Sequence, residues 1–467
     1  MMNYPNKFIY HRSAWALLLL LVMSSCKKFT EIPTSPTSLS PEQVFADSAD
    51  ANAAITGIYI NMIGTSSRIL TIGNEASGTY AGLAADDYDA NTSYTYYKEF
   101  ATNTVSANNS NNNSYLWSYA YKFIYQANAV IEGASASNGI SAAFKNKIIA
   151  EAEFIRAFFH LNLMNLYGPV PLCTVTDYRV TSILPRADTG AIYRQIVTDL
   201  EDAYTRLQND PLQSNKVRIG RDAVKALLAR VYLYRKQWSL AEAAATELIN
   251  GNYRMVALDS VFLTNSREAI WQVPSTAPGD ETVQSVALIP YSATNIPTMF
   301  ATTFLLQSFE QDDKRKTSWL KANVAAGTSY YYPFKYKQQT SGTATTVSNP
   351  REAHTPLRLA EMYLIRSEAK LMQANNTGAL NDLNEVRKRA GLENTAASSD
   401  ADIMKAIMHE RRVELFGEWG HRFFDLKRTG TIDAVLGAEK TGWRSSYALF
   451  PIPYNETLLN PFLTPNP

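Results

Sequence analysis

A run of aromatic rings and carboxylates in the first third of the sequence offers the chemistry of a sugar-binding site. Tyrosine is frequent, with 27 Tyr against 19 Phe. Sugars present apolar C–H faces edged by hydroxyl groups, so a site for them needs an exposed ring for stacking and nearby carboxylates or amides for hydrogen bonding. The candidate ligand-binding residues between positions 73 and 114 are Tyr80, Asp86, Asp87, Tyr88, Tyr94, Tyr96 and Tyr97. In a second polar segment, 274–350, the further candidates are Tyr291 and Trp319.

Residue patterns of enzymes and metal sites are missing from the sequence. His409 precedes a glutamate but has no second histidine four residues on, as a zinc hydrolase would require. Neither a glycine-rich phosphate loop nor a Gly-x-Ser-x-Gly turn is present. Opposite charges such as Glu153 with Arg156 and Arg411 with Glu414 are three residues apart, which predicts pairing on helix surfaces rather than the facing carboxylates of a glycosidase. The sequence therefore predicts no catalytic residue, no metal and no cofactor.

The overall composition is that of a globular protein without a nucleic-acid partner. The 467 residues are 46% hydrophobic, enough to bury a full core. The formal net charge is +1, from 44 Lys and Arg against 43 Asp and Glu. Nucleic-acid binding requires a concentrated basic surface, and no long run of one sign occurs in the sequence.

The first residues have the pattern of a lipoprotein signal peptide. A short basic start with Lys7 and Arg12 is followed by the apolar stretch 14–23 and then by two serines before Cys26. The apolar stretch is about half of the roughly 20 residues that a membrane-spanning helix needs. We therefore expect a signal peptide at 1–25, a lipid on Cys26, a tether over 26–40 and a single domain over 41–467. Ordinary cleavage or a retained anchor is the alternative.

The elements that would position the candidate site are mainly helices. Apolar residues lie nearly all round the predicted helix 144–167, which indicates a buried helix. Two helix hairpins are predicted, 221–235 with 239–250 and 357–374 with 377–390. The second hairpin has about the length of one tetratricopeptide repeat. Because the pairs are unevenly spaced, a helical scaffold with long inserted loops is favoured over an open solenoid.

The two inserted segments, 73–114 and 274–350, are long and polar. Loops of this length inside a compact protein are usually functional or disordered. We expect the segment 73–114 to form the binding face. The alternative role for each of its tyrosines is packing of the ring onto the helices.

Four groups of motifs follow one another along the chain. They are the segments 25–29, 150–159 running into 166–172, 358–369 with 383–392, and 410–415 with 420–428. In this order they resemble the SusD/RagB family of outer-membrane nutrient-binding lipoproteins of Bacteroidota. The resemblance extends over nearly the whole chain after residue 25. The C-terminal end departs from the family pattern, since Pro465 stands where glutamine is common.

The resemblance implies both a fold and a role. The implied fold is a helical scaffold of four tetratricopeptide-like helix pairs, with loops forming the ligand face. The implied role is non-catalytic capture of an oligosaccharide at the cell surface by a lipid-anchored outer-membrane protein. The implied partner is a SusC-like TonB-dependent transporter, on which the lipoprotein sits as a lid.

Three alternatives remain open from the sequence. Capture of peptides by the same architecture would be favoured by a charged pocket lining. A surface glycoside hydrolase would need paired carboxylates about 5 to 9.5 Å apart across a cleft. A helical-repeat adaptor would have a hydrophobic concave surface and no pocket for a small ligand.

Overall fold

The computed structural model describes residues 40–63, 70–208, 216–274, 281–339 and 351–466. The predicted signal peptide, Cys26 and all of the predicted tether except Ser40 lie outside the described residues. Within the described ranges, no helix combines the length and the apolar character needed to cross a membrane.

Helices account for most of the described chain, so the mainly α fold class is confirmed. In chain order the helices are α1 Pro41–Val44, α2 Ser48–Ile63, α3 Ala76–Ala84, α4 Thr95–Ala101, α5 Tyr119–Ala136, α6 Ala142–Tyr167, α7 Tyr178–Thr181, α8 Thr189–Arg206, α9 Arg221–Tyr234, α10 Trp238–Ile249, α11 Val283–Leu288, α12 Thr303–Ser308, α13 Lys314–Trp319, α14 Leu359–Leu371, α15 Asn376–Arg389, α16 Asp400–Leu415, α17 His421–Arg428, α18 Ile432–Glu439 and α19 Tyr454–Leu459.

The strands are short and pair in twos. The four antiparallel pairs are β1 with β5, β2 with β3, β4 with β8, and β6 with β7. Their bounds are β1 Tyr88–Ala90, β2 Val170–Pro171, β3 Arg186–Ala187, β4 Ala269–Pro274, β5 Met299–Ala301, β6 Leu320–Ala325, β7 Thr328–Pro333 and β8 Ala353–Arg358.

Helix α6 is the central element, as the sequence pattern predicts. Its start is capped by the Ser141 side chain, which accepts a hydrogen bond from the Phe144 amide, and it ends at Gly168 with φ 76°. No proline or glycine interrupts its 26 residues, and from Ile148 onward nearly every residue is buried. It packs against α2, α5 and α8, so that apolar side chains on all its sides are covered.

Both predicted helix hairpins are present. Helices α9 and α10 form the first and α14 and α15 the second, and α10 packs against α14, which joins the two hairpins. Small buried residues such as Ala226, Ala241, Ala369 and Ala379 let the backbones approach closely. Consecutive helices also pack together in α5 with α6 and in α16 with α17, so packed helix pairs recur along the described part of the chain.

The prediction that 73–114 is a long loop is wrong. The segment forms α3, β1 and α4, and residues 111–118 form a π-helical turn that leads into α5. The carboxamide of Asn109 accepts hydrogen bonds from the amides of Asn111 and Asn112, both at 3.0 Å, so the asparagine-rich stretch caps a helix start. The segment 274–350 likewise contains helices α11 to α13 and strands β5 to β7, although 275–280 and 340–350 lie outside the described residues.

The charged residues form structural ion pairs, as predicted, but these pairs are buried between elements and do not lie on helix surfaces. Arg156 pairs with Asp199 of α8 at 2.7 Å, and Arg411 pairs with Asp425 of α17 at 2.8 Å, and all four side chains are buried. The three- and four-residue spacing places such charges on one helix face, but that face is covered by another element. Burial removes their hydration, so they need partners supplied by the tertiary structure.

Candidate functional site

Two segments about 200 residues apart form one surface beside strands β1 and β5. The strands pair antiparallel, with Ala90 opposite Met299. Beyond the strand, the Asn91 amide donates to the Thr298 carbonyl at 3.0 Å, and the Tyr94 amide donates to the Asn91 carbonyl at 2.9 Å. The exposed start of α4 is thereby placed next to residues 296–300.

A buried amide in β6 holds the loop that carries Tyr291. The carboxamide of Asn323 donates to the carbonyls of Ser292 and Asn295, both at 2.9 Å. The ring of Phe300 in β5 packs edge-on against Tyr330 in β7, with ring centroids 4.9 Å apart. These contacts fix the loop 289–298 against the β6–β7 hairpin.

We call this surface the candidate ligand face. Its exposed side chains come from the start of α4, the loop 289–298 and the elements around strand β5. The large apolar and aromatic residues on or beside it are Tyr94, Tyr96, Tyr291, Ile296, Phe300, Phe304, Val324 and Tyr330.

Three of the predicted tyrosines have rings available to a ligand. Tyr94, Tyr96 and Tyr291 are 45%, 50% and 62% exposed, respectively. Tyr97 is only partly exposed, because its ring stacks on that of Tyr80 at a centroid distance of 5.5 Å. The face therefore combines free rings with a packed aromatic layer beneath them.

Five predicted ligand contacts lie inside the scaffold instead. Tyr80 and Tyr88 are buried in α3 and β1, and Trp319 is buried with its indole N–H donating to the Leu258 carbonyl at 3.2 Å. Asp86 and Asp87, between α3 and β1, are buried as well. These side chains present no surface to a ligand in this structure, because other elements of the scaffold cover them.

Asp86 is a structural anchor for two arginines. Its carboxylate accepts from Arg422 Nε and Nη2, both at 2.7 Å, and its Oδ2 lies 2.7 Å from Arg412 Nη2. Burial alone would raise the pKa of Asp86, but the Arg422 hydrogen bond and the charges of both arginines hold this pKa well below its usual range. Burial and the neighbouring Asp86 charge raise the pKa of Asp87 to about 6.

The carboxylates near one histidine do not form a free cation site. Ligand atoms of Glu310, His409 and Glu410 lie within 4.8 Å of one another. However, Glu310 accepts two hydrogen bonds from Arg387, at 2.5 and 3.0 Å, and Glu410 pairs with the buried Arg315 at 2.5 Å. The arginines already neutralise the charge that would attract a metal ion.

Several residues that shape the face carried no clear signal in the sequence. Asn91 and Asn323 act through their backbone and side-chain hydrogen bonds to a distant loop. Asn323 is a buried polar residue within a strand, and that pattern could have identified it. Phe300 and Tyr330 have no distinguishing sequence context, since their contact depends on strand placement.

Comparison with known proteins identifies related families and folds. A model described as the SusD family matches residues 307–448, and a SusD-like model described as starch-binding and associating with the outer membrane matches residues 35–233. SusD-like protein P2 of Formosa agariphila is 26% identical over 96% of this chain and 98% of that protein. A SusD-like protein of Bacteroides ovatus is 26% identical over 71% of this chain and 68% of that protein.

Solved structures show the same fold. A SusD superfamily protein from Bacteroides vulgatus superposes with a TM-score of 0.76 at 20% identity, covering 90% of this chain and 98% of the other. A laminarin-binding SusD-like protein superposes with a TM-score of 0.74 at 24% identity, covering 90% and 99%. With the two family models matching separate parts of the sequence, this chain belongs to the SusD/RagB family.

Proposed function

We propose that the protein captures a glycan at the candidate ligand face without cleaving it, and delivers it to a SusC-like TonB-dependent outer-membrane transporter. The observation that carries the proposal is the exposure of three tyrosines, Tyr94, Tyr96 and Tyr291, on two distant segments that the pairing of β1 with β5 brings together. A lipid on Cys26 would hold the protein at the outer surface of the cell. A matching family model is described as starch-binding and as associating with the outer membrane, which supports glycan capture and a location at that membrane.

The chemistry of the face suits an uncharged sugar chain better than a charged peptide. Exposed rings stack on the C–H faces of sugars, and the neighbouring Thr92, Ser93 and Thr294 offer hydroxyl groups. The charged groups beside Tyr94 neutralise each other, since Lys98 Nζ lies 2.6 Å from Asp89 Oδ1. A neutral oligosaccharide loses less hydration than a charged ligand on such a surface.

Arguments against hydrolysis come from the state of the nearby carboxylates. Glycosidases place two carboxyl groups about 5 to 9.5 Å apart across the scissile bond. Among the described residues near α4, Asp89 is paired with Lys98, and Glu99 accepts from the Asn109 side chain at 2.8 Å. Asp86 lies beneath the surface between two arginines.

The test is binding of soluble protein beginning at Lys28 to a panel of plant, host and microbial glycans and peptides, with product analysis of the same samples. We expect one glycan class to bind uncleaved. Tyr94→Ala and Tyr291→Ala should each weaken binding about fivefold, since one stacked ring contributes about 1 kcal/mol. Tyr178→Ala, at an exposed tyrosine of α7, is the matched control and should bind normally. Cleavage would reject the non-catalytic role, and binding of peptides alone would reject glycan capture.

A further inference from the structure

The side chain of Lys440 lies where the carboxyl ends of helices α3 and α4 meet. Its Nζ donates hydrogen bonds to the carbonyls of Leu83 and Ala84, at 2.7 and 3.0 Å, and to the carbonyl of Ala101, at 3.0 Å. Leu83 and Ala84 are the last two residues of α3, and Ala101 is the last residue of α4. One side chain thus connects the two helices at their ends.

The three carbonyls match the donors of a lysine ammonium. The last carbonyls of an α-helix have no partner within the helix, and their partial negative charge attracts a cation. An ammonium group has three N–H donors and no acceptor. The carbonyls around Lys440 therefore use its full donor capacity, and an uncharged side chain of the same length could not replace it.

Carboxyl groups surround the same ammonium. Burial lowers the pKa of Lys440 to about 7, and four acidic side chains oppose this shift, those of Asp86, Asp89, Asp87 and Glu439. The ammonium form therefore prevails below that pH. Lys440 directly follows α18, so its backbone belongs to an element separate from both helices that it connects.

Helix α4 carries two of the exposed rings of the candidate ligand face. Tyr94 precedes its first residue, and Tyr96 lies in its first turn. Its seven residues span only about 10 Å. A helix this short is not stable by itself, so its position depends on tertiary contacts. A contact that fixes Ala101 at one end therefore helps to fix the two rings at the other end.

A second lysine makes a similar bond elsewhere in the scaffold. Lys427 of α17 donates to the carbonyl of Asn165, two residues before the end of α6. Neither α6 nor α17 supplies a side chain to the candidate ligand face. Lys427 therefore provides a comparison in which a lysine caps a helix that carries no ring of that face.

We propose that Lys440 is a positioning residue for glycan capture, whose ammonium holds the end of α4 against α3 and thereby sets the place of the Tyr94 and Tyr96 rings. The proposal rests on the proposed function, in which these rings stack on the sugar. Lys440 contacts the end of α4 opposite to the rings, so it acts through them and not on the glycan.

Two substitutions of Lys440 separate its charge from its size. At about pH 6, where the ammonium prevails, Lys440→Met should weaken glycan binding about fivefold, the loss expected for one misplaced ring. Amide hydrogen exchange in α4 should accelerate in the same variant. Lys440→Arg should retain most of the affinity, because a guanidinium is charged and also donates several hydrogen bonds.

Lys427→Met is the matched control for these substitutions. It should destabilise the protein but leave glycan affinity and exchange in α4 unchanged. Wild-type affinity in Lys440→Met, or an equal loss of affinity in Lys440→Arg, would overturn the proposal. If the wild-type protein binds no glycan, the proposed function fails, whereas exchange in α4 of Lys440→Met still shows whether Lys440 holds that helix.

Acetylation of the wild-type protein with acetic anhydride covers the case in which a variant fails to fold. Because three carbonyls hold its amine, Lys440 should react about tenfold more slowly than the exposed Lys236. Bound glycan should slow the reaction of Lys440 further, since ligand and ammonium stabilise the same position of α4. Mass spectrometry measures both rates. A reaction of Lys440 as fast as that of Lys236, or one that bound glycan leaves unchanged, would contradict the positioning role.

Discussion

At the scale of single residues, burial separates side chains that are open to a ligand from structural groups of the same type. Tyr80 and Tyr94 are 14 positions apart, yet the first is fully buried and the second is 45% exposed. A hidden ring contributes packing, and a free ring can stack on a ligand. Among the acidic residues, Asp86 is a structural group of this kind, because its carboxylate pairs with Arg412 and Arg422.

Replacing Asp86 by asparagine should destabilise the protein in a pH-dependent manner. The pKa of Asp86 is depressed in the folded protein, so its stabilising contribution is present above the unfolded pKa of about 3.9 and is lost as the pH falls through the folded pKa. At neutral pH, Asp86→Asn leaves two arginines short of a partner and should lower the free energy of unfolding by about 3 kcal/mol.

Urea denaturation of both proteins between pH 7 and pH 3 measures this effect. The difference between wild type and Asp86→Asn should shrink below about pH 4. Asp259→Asn is a suitable control, since this aspartate pairs with Lys337 at the surface and should have little effect. A difference that stays constant over the whole pH range would show that Asp86 does not act through its charge.

At the scale of elements, the candidate ligand face depends on side chains that hold one loop in place. The loop 289–298 contacts the rest of the protein through hydrogen bonds from Asn323, and Asn91 adds a bond to Thr298. The ring of Tyr291 is therefore positioned by residues that do not themselves offer a surface for stacking.

Asn323→Ala should loosen the loop while leaving the fold intact. The freed carbonyls of Ser292 and Asn295 can bind water, so the free energy of unfolding should fall by only about 1 kcal/mol. Amide hydrogen exchange in the loop should accelerate, and glycan affinity should fall severalfold because Tyr291 is no longer held. Lys321→Ala, on the exposed side of the same strand, should change neither quantity. Unchanged exchange in Asn323→Ala would contradict this role.

At the scale of the whole molecule, the helical scaffold carries the candidate ligand face over strands β1 and β5. The predicted lipid anchor, Cys26, precedes the first helix α1 in the sequence.

Attachment through Cys26 can be tested by fractionation of cells. Cys26→Ala removes the thiol that would carry the lipid, so the protein should leave the membrane fraction. Cys173→Ala is the matched control, because Cys173 is a free, partly buried thiol and burial raises its pKa to about 12. If Cys26→Ala stays in the membrane fraction, the apolar stretch 14–23 is the anchor instead.

Sequence alone determined the helical scaffold, because the signals for a helix are local. The apolar pattern of α6, its serine cap and its terminal glycine all lie within about 30 residues, and the small residues of the two hairpins lie in adjacent helices. The family motifs are equally local. Membrane attachment at Cys26 follows from the same kind of local pattern and stays a prediction.

The tertiary structure alone decided which of the candidate side chains are exposed and which are buried. The helical content of 73–114 was missed, since α3 and α4 are short and tertiary packing stabilises them. Periodicity shows that a helix has a covered face but does not show which element covers it. The sequence pattern therefore predicted ion pairs on helix surfaces at Arg156 and Arg411, whereas both side chains are buried. Likewise, no local rule brings Tyr94 next to the loop of Tyr291. Their proximity depends on the pairing of β1 with β5 across some 200 residues, and long-range packing of this kind is what separates the exposed tyrosines from the buried ones.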